Sequence, residues 1–132
     1  MKCAIFCCLL ALCALELVNA DLNTRLSNLY LKSLENITKY ITPKFNEIED
    51  LVHSKQRKKH CLDTFNSSHS KLKTRKVISL NKCLQDGRDA NDYMIADACC
   101  SSDIQSLQTA IDTMYNDAIK CLHRRSTQSS GN

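Results

Sequence analysis

Apolar residues recur at three- and four-residue steps through most of this chain, the spacing of amphipathic helices. Leu22, Leu26, Leu29, Tyr30, Leu34, Ile37 and Ile41 put one stripe on a helix that Asp21 can cap and that runs to about Thr42. Thr42-Pro43 reads as a boundary, because proline suits the first helical position and threonine caps well before it. A second helix then carries Phe45, Ile48, Leu51 and Val52 towards Cys61 or Phe65. Asn66-Ser67-Ser68-His69-Ser70 reads as a loop of residues that favour caps and turns. A third helix from about Ser70 presents Leu72, Val77, Leu80, Cys83 and Leu84, and Gly87 stops it. A shorter fourth, about Asp89 to Cys99, holds Ala90, Tyr93, Met94 and Ala98. Ser102 and Gln105 fit a capping box, and Ile104, Leu107, Ile111, Met114, Ala118 and Cys121 follow in the clearest alternation of threes and fours.

The pattern predicts an all-α protein, a single up-and-down bundle of four to five helices cross-linked by about two disulfides. With Gly at 2 positions and Pro at 1, the chain lacks the turn formers a strand-rich fold requires. Residues 1–20, MKCAIFCCLLALCALELVNA, have the order of a secretory signal: Lys2, an apolar run from Cys3 to Leu15, then compact Val18-Asn19-Ala20 before the cut. A membrane anchor needs about 20 apolar residues, and Glu16 interrupts this run earlier. The expectation is a secreted, extracellular chain with no transmembrane segment, a helical domain over 21–124 and a disordered tail over 125–132.

Removing the signal removes Cys3, Cys7, Cys8 and Cys13 and leaves Cys61, Cys83, Cys99, Cys100 and Cys121 as a disulfide framework. The set is odd, so one thiol stays buried or joins two chains in a disulfide-linked homodimer. If five helices alternate in direction, Cys61 and the Cys99-Cys100 pair share one end of the bundle, while Cys83 and Cys121 share the other. That arrangement pairs Cys61 with Cys99 or Cys100, and Cys83 with Cys121. A bond between the adjacent Cys99 and Cys100 would close a strained small ring.

The formal net charge is +4, and its distribution matters more than its sum. Lys55, Arg57, Lys58, Lys59, Lys71, Lys73, Arg75 and Lys76 face only Asp63 over residues 55–76, whereas Asp86 to Asp117 is an aspartate-rich stretch with Arg88 alone opposing it. The hairpin between the second and third helices is therefore a basic end suited to an extracellular protein or an anionic glycan or lipid surface. The blander alternative is a solvated face that keeps the protein soluble. No nucleic-acid partner is expected from an exported chain without interleaved aromatics. Arg57-Lys58-Lys59 and Arg75-Lys76 resemble dibasic processing sites but fall inside expected helices. Asn36-Ile37-Thr38 and Asn66-Ser67-Ser68 are glycosylation acceptors, Asn66 being favoured by its loop.

Catalytic chemistry is not apparent. His53, His60, His69 and His123 stand in no zinc-protease or metal-ligand spacing. His60-Cys61 neighbours point some 100° apart on a helix, and Cys61 is better used in a bridge. Asp89, Asp92, Asp112 and Asp117 read as solvent-facing helix residues. Neither an enzyme, a cofactor nor a metal is expected.

Insect odorant-binding proteins combine a signal with a helical, cysteine-bearing domain, but the adjacent Cys99 and Cys100 break their defining spacing. The pattern KCL…ADACCSSDIQSLQTAIDTM…AIKCL resembles small secreted helical proteins of insect secretions of the tsetse EP type. The resemblance covers the part after Cys61 and implies secretion without transferring any functional residue. Two readings follow. The first is a secreted non-enzymatic protein of a glandular secretion (saliva, venom or seminal fluid) that binds a protein or anionic surface. The second is an extracellular carrier enclosing a small hydrophobic ligand among Leu, Ile and Met side chains, which requires unfilled volume between the helices.

Overall fold

Three long helices build the protein: α1 (Lys2–Lys55), α2 (Lys59–Asp89) and α3 (Tyr93–His123). The computed structural model describes residues 2–55 and 58–124, without the side chains of 2–4, 6 and 55. Arg57 and the expected tail from residue 125 lie outside the described residues. With the Asp21 end of α1 as the top, α1 descends, α2 rises and α3 descends. Contacts at each level establish this order. Arg25 stacks on Tyr93 at 4.2 Å and Arg88 donates to Asn23 near the top, Tyr40 meets Asp112 midway, and Lys58 reaches the end of α3 at the bottom.

The all-α, up-and-down expectation holds, but the helix number is three instead of four to five. Thr42-Pro43 is no boundary. α1 continues through Pro43, whose side chain is exposed. Proline forfeits one backbone bond there, yet Ile37, Ile41, Ile48 and Val52 stay on one buried face across it. Nor is Asn66 to Ser70 a loop. Phe65 is buried before it, Leu72 is half-buried after it, and the polar residues between turn mainly outward. Ser102 lies inside α3, which is capped instead by Asp92, whose carboxylate accepts the Met94 N–H at 2.8 Å.

The breaks fall elsewhere. His53 to His60 contains no apolar residue, and there the stripe lapses between α1 and α2. The turn from α2 to α3 is Ala90-Asn91-Asp92, with Asn91 at φ 50°, a left-handed conformation that asparagine tolerates. Gly87 lies within α2 instead of stopping it.

The core forms two clusters. The upper one joins Leu26, Ile37, Leu80, Leu84, Ala96 and Ile111; the lower joins Ile48, Val52, Phe65, Ala118 and Leu122. Full burial of a leucine or isoleucine side chain contributes about 1.5–3 kcal/mol, and Leu26, Ile48, Leu80, Ile111 and Leu122 are all fully buried. Polar ties fix the seams between helices. Tyr40 donates to Asp112 at 2.7 Å, Lys44 pairs with the same carboxylate at 3.3 Å, and Ser79 donates to Asp103. The hydroxyl of Tyr40 and the nearby Lys44 hold Asp112 below the ordinary aspartate range. Asp92 and Asp112 are thus structural residues of cap and seam, not simply solvent-facing ones.

Cys61 pairs with Cys121, and Cys83 with Cys99, at Cα separations of 5.9 and 5.4 Å. This corrects the pairing expected from five alternating helices. Because α2 is one unbroken helix, Cys61 at its start and Cys83 near its end lie at opposite ends of the bundle. Antiparallel α3 then brings Cys99 beside Cys83 and Cys121 beside Cys61. Cys100 is left unpaired and fully buried. Burial raises its thiol pKa, partly offset by a hydrogen bond with the buried Ser33.

Candidate binding groove

α2 faces both neighbours, and it packs less extensively on α1 than on α3. Between α1 and α2 runs an open groove of about 580 Å³. Its α1 wall is Thr38, Ile41, Thr42 and Phe45, steps of three, one and three that fall on one helical stripe. Its α2 wall is Asn66, His69, Lys73 and Lys76, again a single stripe. Phe45 anchors the lower part, with ring centroids 5.9 Å from Phe65 and 6.3 Å from His69.

The groove is electropositive. Lys76 is half-buried, and desolvation followed by the charge of Lys73 pushes its pKa down. His69 is lowered by burial first, then by Lys76 and Lys73. Among the described residues neither lysine forms an ion pair, since the bridges run Lys39–Glu35, Lys44–Asp112, Lys82–Asp86 and Lys120–Asp117. Two cations and an imidazole therefore share a partly dry slot without a counter-charge.

The remaining basic residues separate into different tasks. Lys58 Nζ donates to the backbone oxygens of Cys121 (3.2 Å), Leu122 and Arg124, placing a positive charge on the C-terminal end of α3. It is a cap. Lys59, Lys71, Lys73 and Arg75 are exposed, while Arg57 and the side chain of Lys55 lie outside the described residues. The expected basic hairpin tip is absent as such: Lys71 to Lys76 sit midway along α2, far from the turn that holds Lys58. Asn36 and Asn66 are both exposed on helices, and Asn66 lines the groove instead of a loop.

The aspartates of residues 86–117 are mostly engaged internally. Asp86 pairs with Lys82, Asp89 accepts from Gln85, Asp92 caps α3, Asp103 accepts from Ser79, Asp112 holds Tyr40 and Lys44, and Asp117 faces Lys120. Three of these carboxylates, Asp86, Asp112 and Asp117, sit beside a lysine, whereas Lys71, Lys73, Arg75 and Lys76 have no ion-pair partner among the described residues.

Among the described residues, two clusters have ligand-type atoms within 4.8 Å: His60, Cys61 and Cys121, and Cys83, Cys99 and Asp103. In each, the two sulfurs are bonded to one another, so neither offers thiolates to a metal. His60 Nε2 lies 3.5 Å from both Cys61 and Cys121 Sγ. His53 and His123 are exposed. Ile41 and Phe45 were legible as apolar positions, though on two expected helices parted at Thr42-Pro43, and Lys73 and Lys76 were visible as charge. That the two walls face each other was not readable without the α1–α2 seam.

Comparison with family models, curated proteins and solved structures finds no match to this chain. Its disulfides are of the kind that persist in an oxidising environment. The apolar start of α1 lies within the stretch Cys7–Ser54, long and apolar enough to cross a membrane, and its residues 7–20 are all exposed. Leu9, Leu10, Leu12, Leu15 and Leu17 accordingly make no core.

Proposed function

We propose that this is a secreted, non-enzymatic helical protein that binds an anionic extracellular surface through α2. The unbalanced charge of α2 carries this reading. Lys71 and Arg75, four residues apart on one side of α2, are exposed without ion pairs among the described residues. An uncompensated positive face attracts sulfated glycans or anionic lipid headgroups, and salt weakens the attraction within a Debye length of about 10 Å at 0.1 M.

Secretion is supported by the unburied apolar helix over residues 7–20, whose removal after Ala20 would take nothing from the described core, and by the disulfides. The packed upper and lower clusters favour a surface binder over a bundle that encloses its ligand. The cysteine and helix pattern shared with insect secretion proteins agrees with export and adds no site residue.

The test compares two variants of equal net charge on heparin resin and on anionic vesicles. Lys71→Gln/Arg75→Gln removes charge from α2, and Lys32→Gln/Lys39→Gln removes it from exposed positions of α1. The α2 variant is expected to elute from heparin, or release from vesicles, at clearly lower salt than the α1 variant. The matrix that shows the larger difference identifies the kind of surface. Identical elution of the two variants on both matrices refutes the reading.

A further inference from the structure

The α1–α2 groove differs from the exposed α2 charges in one respect: it combines cations with an apolar wall. Lys76 stands at one end of its α2 stripe and Asn66 at the other, ten residues apart and so about 15 Å along the axis at 1.5 Å per residue. Because α1 descends while α2 rises, Thr38 and Ile41 lie level with the lysine end and Phe45 lies level with His69 and Asn66. One end of the slot is thus cationic, and its length is floored by Ile41 and Phe45. Its volume, about 580 Å³, falls in the range of small-molecule sites.

We propose that this groove binds a small anionic amphiphile, a medium-chain alkyl carboxylate whose headgroup lies between Lys73 and Lys76 and whose tail follows Ile41 towards Phe45. The argument is charge complementarity. Lys73 and Lys76 share one stripe of the groove without a carboxylate partner among the described residues, and burial together with the charge of Lys73 disfavours the charged state of Lys76. A single carboxylate relieves both costs and adds charge-assisted hydrogen bonds. A bare anion such as inorganic phosphate would leave the Ile41–Phe45 wall in water. A neutral alkyl ligand would leave the lysines uncompensated. Only a molecule with both halves satisfies both walls of the slot.

This site is independent of surface binding through Lys71 and Arg75, which helical periodicity places on the other side of α2 from Lys73. The two can therefore fail separately. Calorimetric titration of the full secreted chain with sodium dodecanoate, below its micelle concentration, is the direct test. Saturable one-to-one binding is expected, with dodecanol and inorganic phosphate each at least about tenfold weaker. Lys73→Gln/Lys76→Gln is expected to lose about tenfold in dodecanoate affinity, tenfold being about 1.4 kcal/mol, with little effect on dodecanol. Phe45→Ala is expected to weaken both alkyl ligands, and circular dichroism checks that each variant remains helical. Lys71→Gln/Arg75→Gln is expected to bind dodecanoate as the unaltered chain does. Absence of saturable dodecanoate binding overturns the proposal. So does equal affinity for dodecanoate and dodecanol, or an equal loss in the Lys71/Arg75 and Lys73/Lys76 variants.

Discussion

Gly87 marks a place where α2 and α3 approach closely. A Cβ built on it would stand 2.6 Å from the Cβ of Ala96 and 3.2 Å from the backbone oxygen of Asp92. Neither neighbour is the tip of a flexible side chain, and Ala96 is fully buried, so the helices themselves must move apart. Gly87→Ala is accordingly expected to destabilise by about 1–3 kcal/mol despite alanine's better helix propensity. A thermal melt should show a Tm several degrees lower, and the loss should shrink in an Ala96→Gly background because the colliding methyl is gone. An unchanged or raised Tm would mean that the α2–α3 contact is looser. Read as sequence, Gly87 looked like a helix stop, because glycine's backbone freedom is a local property. Its close neighbour Ala96 is nine positions away, across a turn. Lys58 teaches the same point: its charge was legible, but its task as a cap on α3 depends on residues more than sixty positions on.

At the scale of elements, the question is what decides whether a breaker breaks. Pro43 costs a mid-helix position about 3 kcal/mol relative to alanine in isolation. α1 carries that cost because its buried face resumes at once with Ile48 and Val52, and because Lys44 and Phe45 are tied to α3 and α2. Pro43→Ala should therefore stabilise the protein, by roughly 1–3 kcal/mol from restored propensity and the regained backbone bond. If Thr42-Pro43 were a true cap and first-turn pair, the same change would lower stability, and a denaturant midpoint distinguishes the two signs. The Asn66–Ser70 segment follows the same logic. Its local preference is for a loop, but Phe65 against Phe45 and His69 beside Phe45 hold it in register with α1. The true α1–α2 break had a signal in the sequence, the eight-residue lapse in apolar positions from His53 to His60. A lapse in the stripe proved more informative than the presence of proline or serine.

For the whole molecule, the two bridges act at opposite ends. Cys61–Cys121 spans 60 residues and Cys83–Cys99 spans 16, which the chain-entropy account values at about 4 and 3 kcal/mol. Small domains have net stabilities of only about 5–15 kcal/mol, so reducing both should bring this one close to unfolding near body temperature. Peptide mapping without reductant is expected to link the Cys61 peptide to that of Cys121 and the Cys83 peptide to that of Cys99. Cys100 should resist alkylation until the chain is denatured, since no part of its side chain is exposed. Recovery of a Cys83–Cys121 link would refute the three-helix topology, because those residues lie at opposite ends of it.

The amino-acid pattern by itself determined that this chain is helical, which faces are apolar and where positive charge concentrates. All of these are properties of residues and their near neighbours, set by the 3.6-residue period and by composition. The tertiary structure alone decided how many helices there are, which sulfurs meet, what Gly87 and Lys58 do, and that Thr38, Ile41, Thr42 and Phe45 face His69, Lys73 and Lys76. Each of those depends on contacts between residues remote in sequence. Their packing energy, summed over whole helix faces, exceeds the local preference of a single proline or a run of serines.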